Sequence, residues 1–171
     1  MANGNIIIEL KNKIVLDIVQ DEEIVQIIDN PDMSKEGWSP IYLNDSKITK
    51  EKGFIPSIYK YYKNPNLIEH EFTFITVIVQ IPNQYNSNKL FQNISLEINI
   101  VSHNEHMRID SDVIQANRND YLSILLDKKF NGINIGICKL ELISNVEGVY
   151  DENYNFRKLT FKTVDINNSI C

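Results

Sequence analysis

The sequence predicts an α+β fold: a mixed or antiparallel four-stranded sheet, packed on one face by two main helices and connected by long loops. Two observations predict this class. Apolar residues recur at helical spacing in two segments, and four other segments have the composition or the alternation of strands. The length of 171 residues predicts one domain over residues 1–171. A domain of this size buries about 70% of the surface of its unfolded chain, so it needs no disulfide or metal for stability.

The first two elements are predicted helices. Apolar residues over residues 5–19 follow a helical period and form one stripe. The residues of this stripe are Ile7, Leu10, Ile14 and Ile18. Asp21 is a good N-cap for a second, shorter helix, because its side chain accepts hydrogen bonds from free backbone amides, and Glu22 and Glu23 favour the first helical turn.

Three of the four predicted strands have one apolar and one polar face. Residues 71–81 are rich in Phe, Val, Ile and Thr, which predicts a strand buried on both faces. Residues 95–101 alternate and should pair with it, and residues 139–144 and 157–166 alternate in the same way. The outward positions predict a polar sheet face opposite the helices. These positions include Glu97, Asn99, Glu141, Lys158, Thr160 and Lys162.

The second main helix is predicted within residues 112–130. Its stripe consists of Arg118, Tyr121, Leu122, Leu125, Leu126 and Phe130. Asn131 and Gly132 predict the end of the helix, because glycine adopts a left-handed conformation without a Cβ clash.

Two long loops interrupt these elements. Residues 31–70 hold four of the five prolines and predict an irregular excursion with one short strand near 39–43. Residues 145–156 are polar and predict a projecting loop between the last two strands.

The charge balance disfavours a protein that grips nucleic acid. The net charge is −6 and the pI is about 5.1, whereas nucleic-acid binders carry a basic patch or stripe. No signal peptide and no apolar run of roughly 20 residues is visible, so neither export nor a membrane contact is expected. Cys138 and Cys171 fit a reducing, intracellular setting.

Several residue sets are candidates for chemical sites. His103 and His106 have a spacing that permits shared metal binding on a helix, but they follow a strand directly and lack a third ligand at a typical spacing. Cys138 falls on the inward face of its strand, where a thiol behaves as a small apolar group. Gly132 and Gly136 match neither phosphate-binding fingerprint, and no helix N-terminus follows them.

Two acidic residues and a lysine form a further candidate site, of the kind found in nucleases. Asp32, Glu141 and Lys139 provide these groups, and Glu141 and Lys139 share a strand face because they lie two residues apart. Neighbouring Glu and Lys residues are also common on solvated strands. No catalytic residue, cofactor or metal site is therefore predicted.

Other polar and aromatic residues are candidates for contacts with a partner. Arg118 and Asp120 begin the second main helix, where Arg118 is free to pair with another subunit. Tyr59, Tyr61 and Tyr62 form an aromatic group in a long loop, and aromatic residues are enriched at protein interfaces. Alternatively, these tyrosines cover the edge of the sheet.

The second half of the chain resembles the neck proteins of tailed bacteriophages, namely the tail-completion or tail-terminator proteins. The stretches NRNDYLSILLDKKFNG, IGICKLELISN and RKLTFKTVDIN carry the resemblance. In that family a helix of the Arg-x-Asp-[Tyr/Leu]-Leu type ends in Phe-Asn-Gly, and strands of the Gly-Lys-Leu-Glu-Leu and Arg-Glu-Leu-Thr-Phe-Lys types follow. The matching residues are Arg118, Asp120, Tyr121, Phe130, Asn131, Gly132, Gly136, Lys139, Leu140, Glu141, Leu142, Arg157, Leu159, Thr160, Phe161 and Lys162.

The resemblance implies a structural virion protein of the head–tail junction. Such proteins form a ring that ends the tail tube and joins it to the head connector, with DNA crossing the lumen without sequence-specific binding. A hexamer is the expected homo-oligomer, a dodecamer is the alternative, and assembly takes place in the host cytoplasm. An acidic subunit suits a channel through which DNA slides.

Other functions are compatible with the same sequence features. A head-completion adaptor ring on the portal is the alternative within phage necks, and a tube or baseplate subunit is a further one. A small metal-dependent nuclease or a thiol hydrolase belongs to a different class. The candidates for the subunit interface are Arg118, Asp120, Glu141, Arg157, Lys158, Lys162, Tyr59, Tyr61 and Tyr62.

Overall fold

The computed structural model describes residues 3–30, 32, 55–64, 71–84, 92–111, 113–135 and 138–165. Within these ranges the chain forms three α-helices, namely α1 (Asn3–Val19), α2 (Glu22–Ile28) and α3 (Arg118–Phe130). The same ranges contain six strands, namely β1 (Ile58–Tyr59), β2 (Thr73–Gln84), β3 (Gln92–His103), β4 (Asn134–Ile135), β5 (Cys138–Val149) and β6 (Tyr154–Asp165). A 3-10 turn, Asn104–His106, follows β3.

The strands form one mixed sheet in the order β1-β2-β3-β6-β5-β4. All neighbours are antiparallel except β1, which runs parallel to β2. The α+β class is therefore confirmed, but the predicted number of four strands is wrong, because the described residues form a six-stranded sheet. The two additional strands, β1 and β4, have two residues each, which is too short to produce an alternating pattern.

The last two strands are longer than predicted. The loop expected over residues 145–156 is wrong at both ends, because β5 continues to Val149, which pairs with Asn155 on β6. Only residues 150–153 connect the two strands. A β-bulge after Leu142 shifts the alternation of β5 by one residue, so the second half of the strand shows no continuous pattern in the sequence.

The predicted excursion over residues 31–70 is described only in part. Its described portion holds β1, whose Ile58 pairs with Ile75 of β2. Residues 33–54, including the strand expected near 39–43, and residues 65–70 lie outside the described ranges.

The helices cover one face of the sheet, and the main core lies between the two layers. α1 packs on β2, whereas α3 packs on β3, β6 and β5. Phe130 of α3 meets Phe161 of β6 edge to face, with ring centroids 6.5 Å apart. Burial of a large apolar side chain contributes about 1.5–3 kcal/mol. Fully buried core residues include Ile14, Ile18, Ile24, Leu122, Phe130, Ile75, Leu96, Ile98, Ile100, Leu159 and Phe161.

Local signals define the start of α2 and the end of α3 as predicted, whereas the cap at the start of α3 was not predicted. Asp21 caps α2, since its Oδ1 accepts a hydrogen bond from the amide of Ile24 at 3.2 Å. Asn117 caps α3 by accepting a hydrogen bond from the amide of Asp120 at 2.8 Å. Gly132 adopts the left-handed conformation, with a φ of 88°. In the described parts of the chain, no helix combines the length and apolarity that crossing a membrane requires.

A second, smaller apolar cluster lies on the opposite face of the sheet. It consists of Tyr59, Phe72, Phe74, Val101 and Tyr154, with Ile55 and Phe156 packed against it. The rings of Phe74 and Tyr59 meet at 90° with centroids 5.8 Å apart. This aromatic cluster was not predicted from the three alternating strands, because it occupies only one end of a face that is otherwise polar.

Candidate functional site

The face of the sheet that points away from the helices is called the open face. Its polar part is formed by alternate residues of β3, β6 and β5, and the strand register arranges these residues in rows. The residues are Ser95, Glu97, Asn99, Lys158, Thr160, Lys162, Glu141, Ser144 and Val146. Lys162 lies directly opposite Glu141 on one side and Ser95 on the other. Opposite charges in such a cross-strand pair attract each other weakly.

Three of the predicted interface residues therefore come together on this face. Glu141 and Lys162 are exposed, and Lys158 is half-buried between Asn99 and Val146 of the neighbouring strands. The alternation of the sequence was sufficient to place these side chains, because a strand with one buried face must direct every second residue outward.

The tyrosines of the segment at residues 55–64 separate into different environments. Tyr62 is exposed and lies over the open face, where its hydroxyl donates a hydrogen bond to Oε2 of Glu97 at 2.9 Å. Burial raises the pKa of Tyr62, and the Glu97 carboxylate acts in the same direction. Tyr61 is exposed as well, whereas Tyr59 is buried in the aromatic cluster. Of the three, only Tyr61 and Tyr62 have side chains that reach the surface.

Arg157 lies on the helix-covered side of the sheet rather than on the open face. Its Nη2 donates to Oδ1 of Asp120 on α3 and to Oε2 of Glu147 on β5, the latter at 2.7 Å. Its Nη1 donates to Oδ1 of Asn145 at 3.1 Å. Asp120 also accepts a hydrogen bond from Nδ2 of Asn117 at 2.7 Å. Arg157 and Asp120 therefore connect α3 to the last hairpin within the subunit.

A cavity of about 310 Å³ adjoins this ion-pair cluster. Its lining is mixed, with polar side chains from the start of α3 and apolar groups from the end of β5. The lining residues are Met107, Asn117, Asn119, Asp120, Glu147, Gly148, Val149, Asn155 and Phe156.

Arg118 is a buried structural residue, although the sequence favoured it as an interface candidate. Its side chain is 5% exposed. Its guanidinium donates to the carbonyl oxygens of Ile27, of His106 at 2.6 Å and of Arg108 at 3.0 Å. It also lies 3.5 Å from the Asp29 carboxylate. The carbonyl of Ile27 belongs to the last turn of α2, where backbone acceptors have no partner within the helix.

The two histidines considered as metal ligands have separate protein partners. Nδ1 of His103 accepts a hydrogen bond from the amide of Glu105 at 3.2 Å, and its ring packs edge-on against Tyr154. His106 lies with Nδ1 2.9 Å from Oγ1 of Thr73 and Nε2 3.5 Å from Oδ2 of Asp29. Among the residues that the structure describes, no group of three or more His, Cys, Asp or Glu side chains could hold a metal ion.

His106 occupies a half-buried site between polar groups. Burial lowers the pKa of His106, and the Arg118 guanidinium lowers it further, against the opposing effect of the Asp29 carboxylate. A hydrogen-bonded chain continues from Thr73 through Ser102 to Asn119 of α3, with distances of 2.8 and 2.6 Å. This chain joins β2, β3 and α3 at one end of the core.

The fold does not assemble the nuclease-like set. Asp32 is buried beside Ile55, whose amide donates to Oδ2 of Asp32 at 2.5 Å, near the β1 edge of the sheet. Glu141 and Lys139 lie on β5, with β2, β3 and β6 between β1 and β5. At about 4.8 Å per strand, these groups are too far apart to share an ion. Cys138 begins β5, and its side chain lies outside the described part of the structure.

The described residues define an α+β protein with a mostly polar sheet face opposite its helices. The chain belongs to the YomW family, whose model matches residues 11–163. This is a phage-derived family name, and the membership suggests a phage-associated protein. No protein of known, curated description matches the chain.

Proposed function

We propose that this chain is a structural subunit of a phage virion at the head–tail junction, where copies form a ring that ends the tail tube and joins it to the head connector. The proposed role is structural, not enzymatic. The observation that carries the proposal is the open face. Glu141, Lys158, Lys162 and Tyr62 lie on one exposed sheet surface opposite the helices.

The family membership supports the phage context, and the charge supports the place in the particle. A net charge of −6 disfavours adhesion to DNA, because attraction between a protein and DNA depends on Lys and Arg neutralising phosphates. A subunit that surrounds a DNA channel requires this property. We expect a hexamer, with the tail tube and the head connector as partners and the virion neck as the location.

The alternative within the same class is a head-completion adaptor ring on the portal. The structure of the subunit suits both roles equally. The two roles are therefore distinguished by the phenotype of particles that lack the protein. Electron micrographs of such particles should show overlong or unjoined tails for a terminator. Empty heads would indicate the adaptor instead.

The mass of the purified protein tests the ring independently of the virion. We expect native mass spectrometry to show a closed oligomer of six copies, with twelve copies supporting the adaptor. The nuclease alternative predicts a stable monomer that cuts DNA when Mg²⁺ is added, and this result would overturn the structural role. The separation of Asp32 from Glu141 and Lys139 argues against that alternative.

A further inference from the structure

The outer edge of β5 has the features of a surface that pairs with another chain. β4 and the residues preceding it cover only the start of this edge: the amide of Leu140 donates to Ile133 O at 2.9 Å, and that of Leu142 to Asn131 Oδ1 at 3.1 Å. Within the described residues, no strand pairs with the outer edge of β5 from residues 143 to 149. Unpaired backbone groups on a strand edge are a template for a further strand.

Residues 143–149 include three exposed apolar side chains, Ile143, Val146 and Val149, beside the polar residues Ser144, Asn145 and Glu147. Val146 lies on the open face and Val149 on the helix-covered side. Val149 is 72% exposed and Val146 is 44% exposed, and Ile143 and Tyr150 are exposed beside them. Edge strands that remain unpaired are usually protected by lysine or proline. Residues 141–153 contain neither, although the bulge after Leu142 twists the start of the edge.

Two segments at opposite ends of the sheet differ in charge. Residues 141–153 contain four acidic residues, Glu141, Glu147, Asp151 and Glu152, and no Lys or Arg. At the β1 end, residues 55–64 contain two lysines, Lys60 and Lys63, and no acidic residue. Tyr61 and Tyr62 of the same segment are exposed. An acidic edge with apolar groups and a basic segment with aromatic groups are complementary surfaces.

The basic segment is fixed in place by the subunit that carries it. Nζ of Lys11 on α1 donates to the carbonyl oxygen of Lys60 at 3.0 Å, and Nζ of Lys60 donates to Oδ1 of Asn12. Nζ of Lys63 lies 5.1 Å from the centre of the Tyr59 ring. A held segment loses less conformational entropy on contact than a free one.

We propose that the outer edge of β5, residues 143–149, binds the segment at residues 55–64 of a second copy of this chain through the part of that segment that reaches the surface, residues 60–64. The contact joins unlike surfaces at opposite ends of one sheet, so it is heterologous, and repetition by a closing rotation produces a ring. Exposed backbone groups of the β5 edge would supply hydrogen bonds to the partner segment, and the unlike charges would set the direction of assembly. The inference rests on the proposed ring and names the two surfaces that build it.

The test compares the full-length protein with two matched lysine variants by native mass spectrometry over a dilution series. Val149→Lys places a lysine on the free edge, and Ile124→Lys places one on the outer surface of α3, at a side chain that is 45% exposed. We expect Val149→Lys to shift the assembly midpoint to a roughly tenfold or higher concentration, equivalent to about 1.4 kcal/mol or more. Ile124→Lys should leave the midpoint unchanged.

A charge exchange tests the direction of the contact. Glu152→Lys and Lys63→Glu should each weaken assembly, because each places like charges across the interface. The double variant should recover part of the loss, and this recovery is independent of how well the Val149→Lys variant folds. If Val149→Lys weakens assembly and the charge variants do not, the partner segment at residues 55–64 is wrong.

The outcomes separate this inference from the proposed function. A ring with the same midpoint in the wild type and in Val149→Lys overturns the edge contact and leaves the ring intact. Open chains or dimers that Val149→Lys disrupts support the edge contact and overturn the closed ring. A wild-type protein that stays monomeric at every soluble concentration overturns both.

Discussion

Arg118 at the start of α3 lies against Asp29 at the end of α2, with Nη2 3.5 Å from Oδ2. The same guanidinium donates to three backbone carbonyl oxygens. We expect Arg118→Met to lower the free energy of unfolding by about 3 kcal/mol, because removal of the donor leaves buried acceptors without partners. Urea denaturation measures this loss.

Arg108→Met is the matched control for this prediction. The Arg108 side chain is exposed, so its replacement should change stability by no more than about 0.5 kcal/mol. Equal stability of the two variants would show that the Arg118 contacts contribute little.

His106 should make the stability of the protein depend on pH. Burial lowers its folded-state pKa below the ordinary value of 6.5, so the unfolded chain binds more protons just below that pH. The stabilisation is complete above pH 6.5 and is lost as the pH falls through the folded-state pKa. His106→Gln should flatten this part of the curve. Parallel urea midpoints for wild type and variant, above and below pH 6.5, would contradict the assignment.

Asp21 combines a helix cap with an ion pair. Its Oδ2 lies 2.8 Å from Nζ of Lys129 on α3. Asp21→Ala should cost about 1 kcal/mol through loss of the cap, whereas Asp21→Asn keeps a capping oxygen and should cost less. Thermal unfolding of both variants measures the difference.

The contribution of the Lys129 ion pair to stability should disappear in acid. Burial raises the pKa of Asp21, but the hydrogen bonds from Lys129 and from the Ile24 amide outweigh that effect, and the folded-state pKa lies below 3.8. The stabilisation is therefore present above pH 3.8 and lost as the pH falls through the folded-state pKa. Asp21→Asn and the wild type should then become equally stable. A gap that persists at low pH would indicate that the carboxylate charge is not responsible.

Gly148 permits the close packing of Phe156 on the open face. A Cβ at Gly148 would lie 2.8 Å from Cε1 and Cζ of the Phe156 ring. Gly148→Ala should therefore cost about 1–3 kcal/mol through overpacking. In a double-mutant cycle, Phe156→Leu should remove most of this cost, since it takes away the atoms that clash. Additive effects would exclude the steric explanation.

A substitution at Lys162 tests whether the open face is a contact surface, because this side chain is exposed and the core does not depend on it. It is exposed opposite Glu141, so Lys162→Glu places two carboxylates side by side and should lower the free energy of unfolding by no more than about 1 kcal/mol. Under the proposed function, the same change should weaken attachment of tails to heads. Normal particle yields with Lys162→Glu would show that the open face is not a contact surface.

Charge reversal at Arg157 cannot serve the same purpose, although both residues belong to β6. Arg157 bonds to Asp120 and Glu147 on the helix-covered side. A glutamate there would meet two carboxylates and destabilise the subunit itself. The alternation of β6 already places Arg157 on the side of Leu159 and Phe161.

Short-range patterns in the sequence were sufficient to predict the helices, most of the strands, the cap at Asp21 and the end of α3. These features depend on neighbours within a few residues: the helical stripe of α1, the alternation of β3, the cap at Asp21 and the left-handed Gly132. The sequence also placed Glu141, Lys158 and Lys162 on the polar face, because two-residue periodicity decides which side a strand residue takes.

Whether a charged side chain is exposed or paired within the subunit depends on contacts between distant segments, which appear only in the folded structure. Arg118 is buried because the Asp29 carboxylate, 89 residues earlier, and the carbonyl oxygen of Ile27 at the end of α2 accept its hydrogen bonds. The outer edge of β5 from residues 143 to 149, with which no strand of the described residues pairs, follows from the strand order. The bulge after Leu142 interrupts the alternation by which the sequence would have predicted this part of the strand. Such contacts join distant segments, and a residue type or local period carries no information about which distant segment will lie beside it.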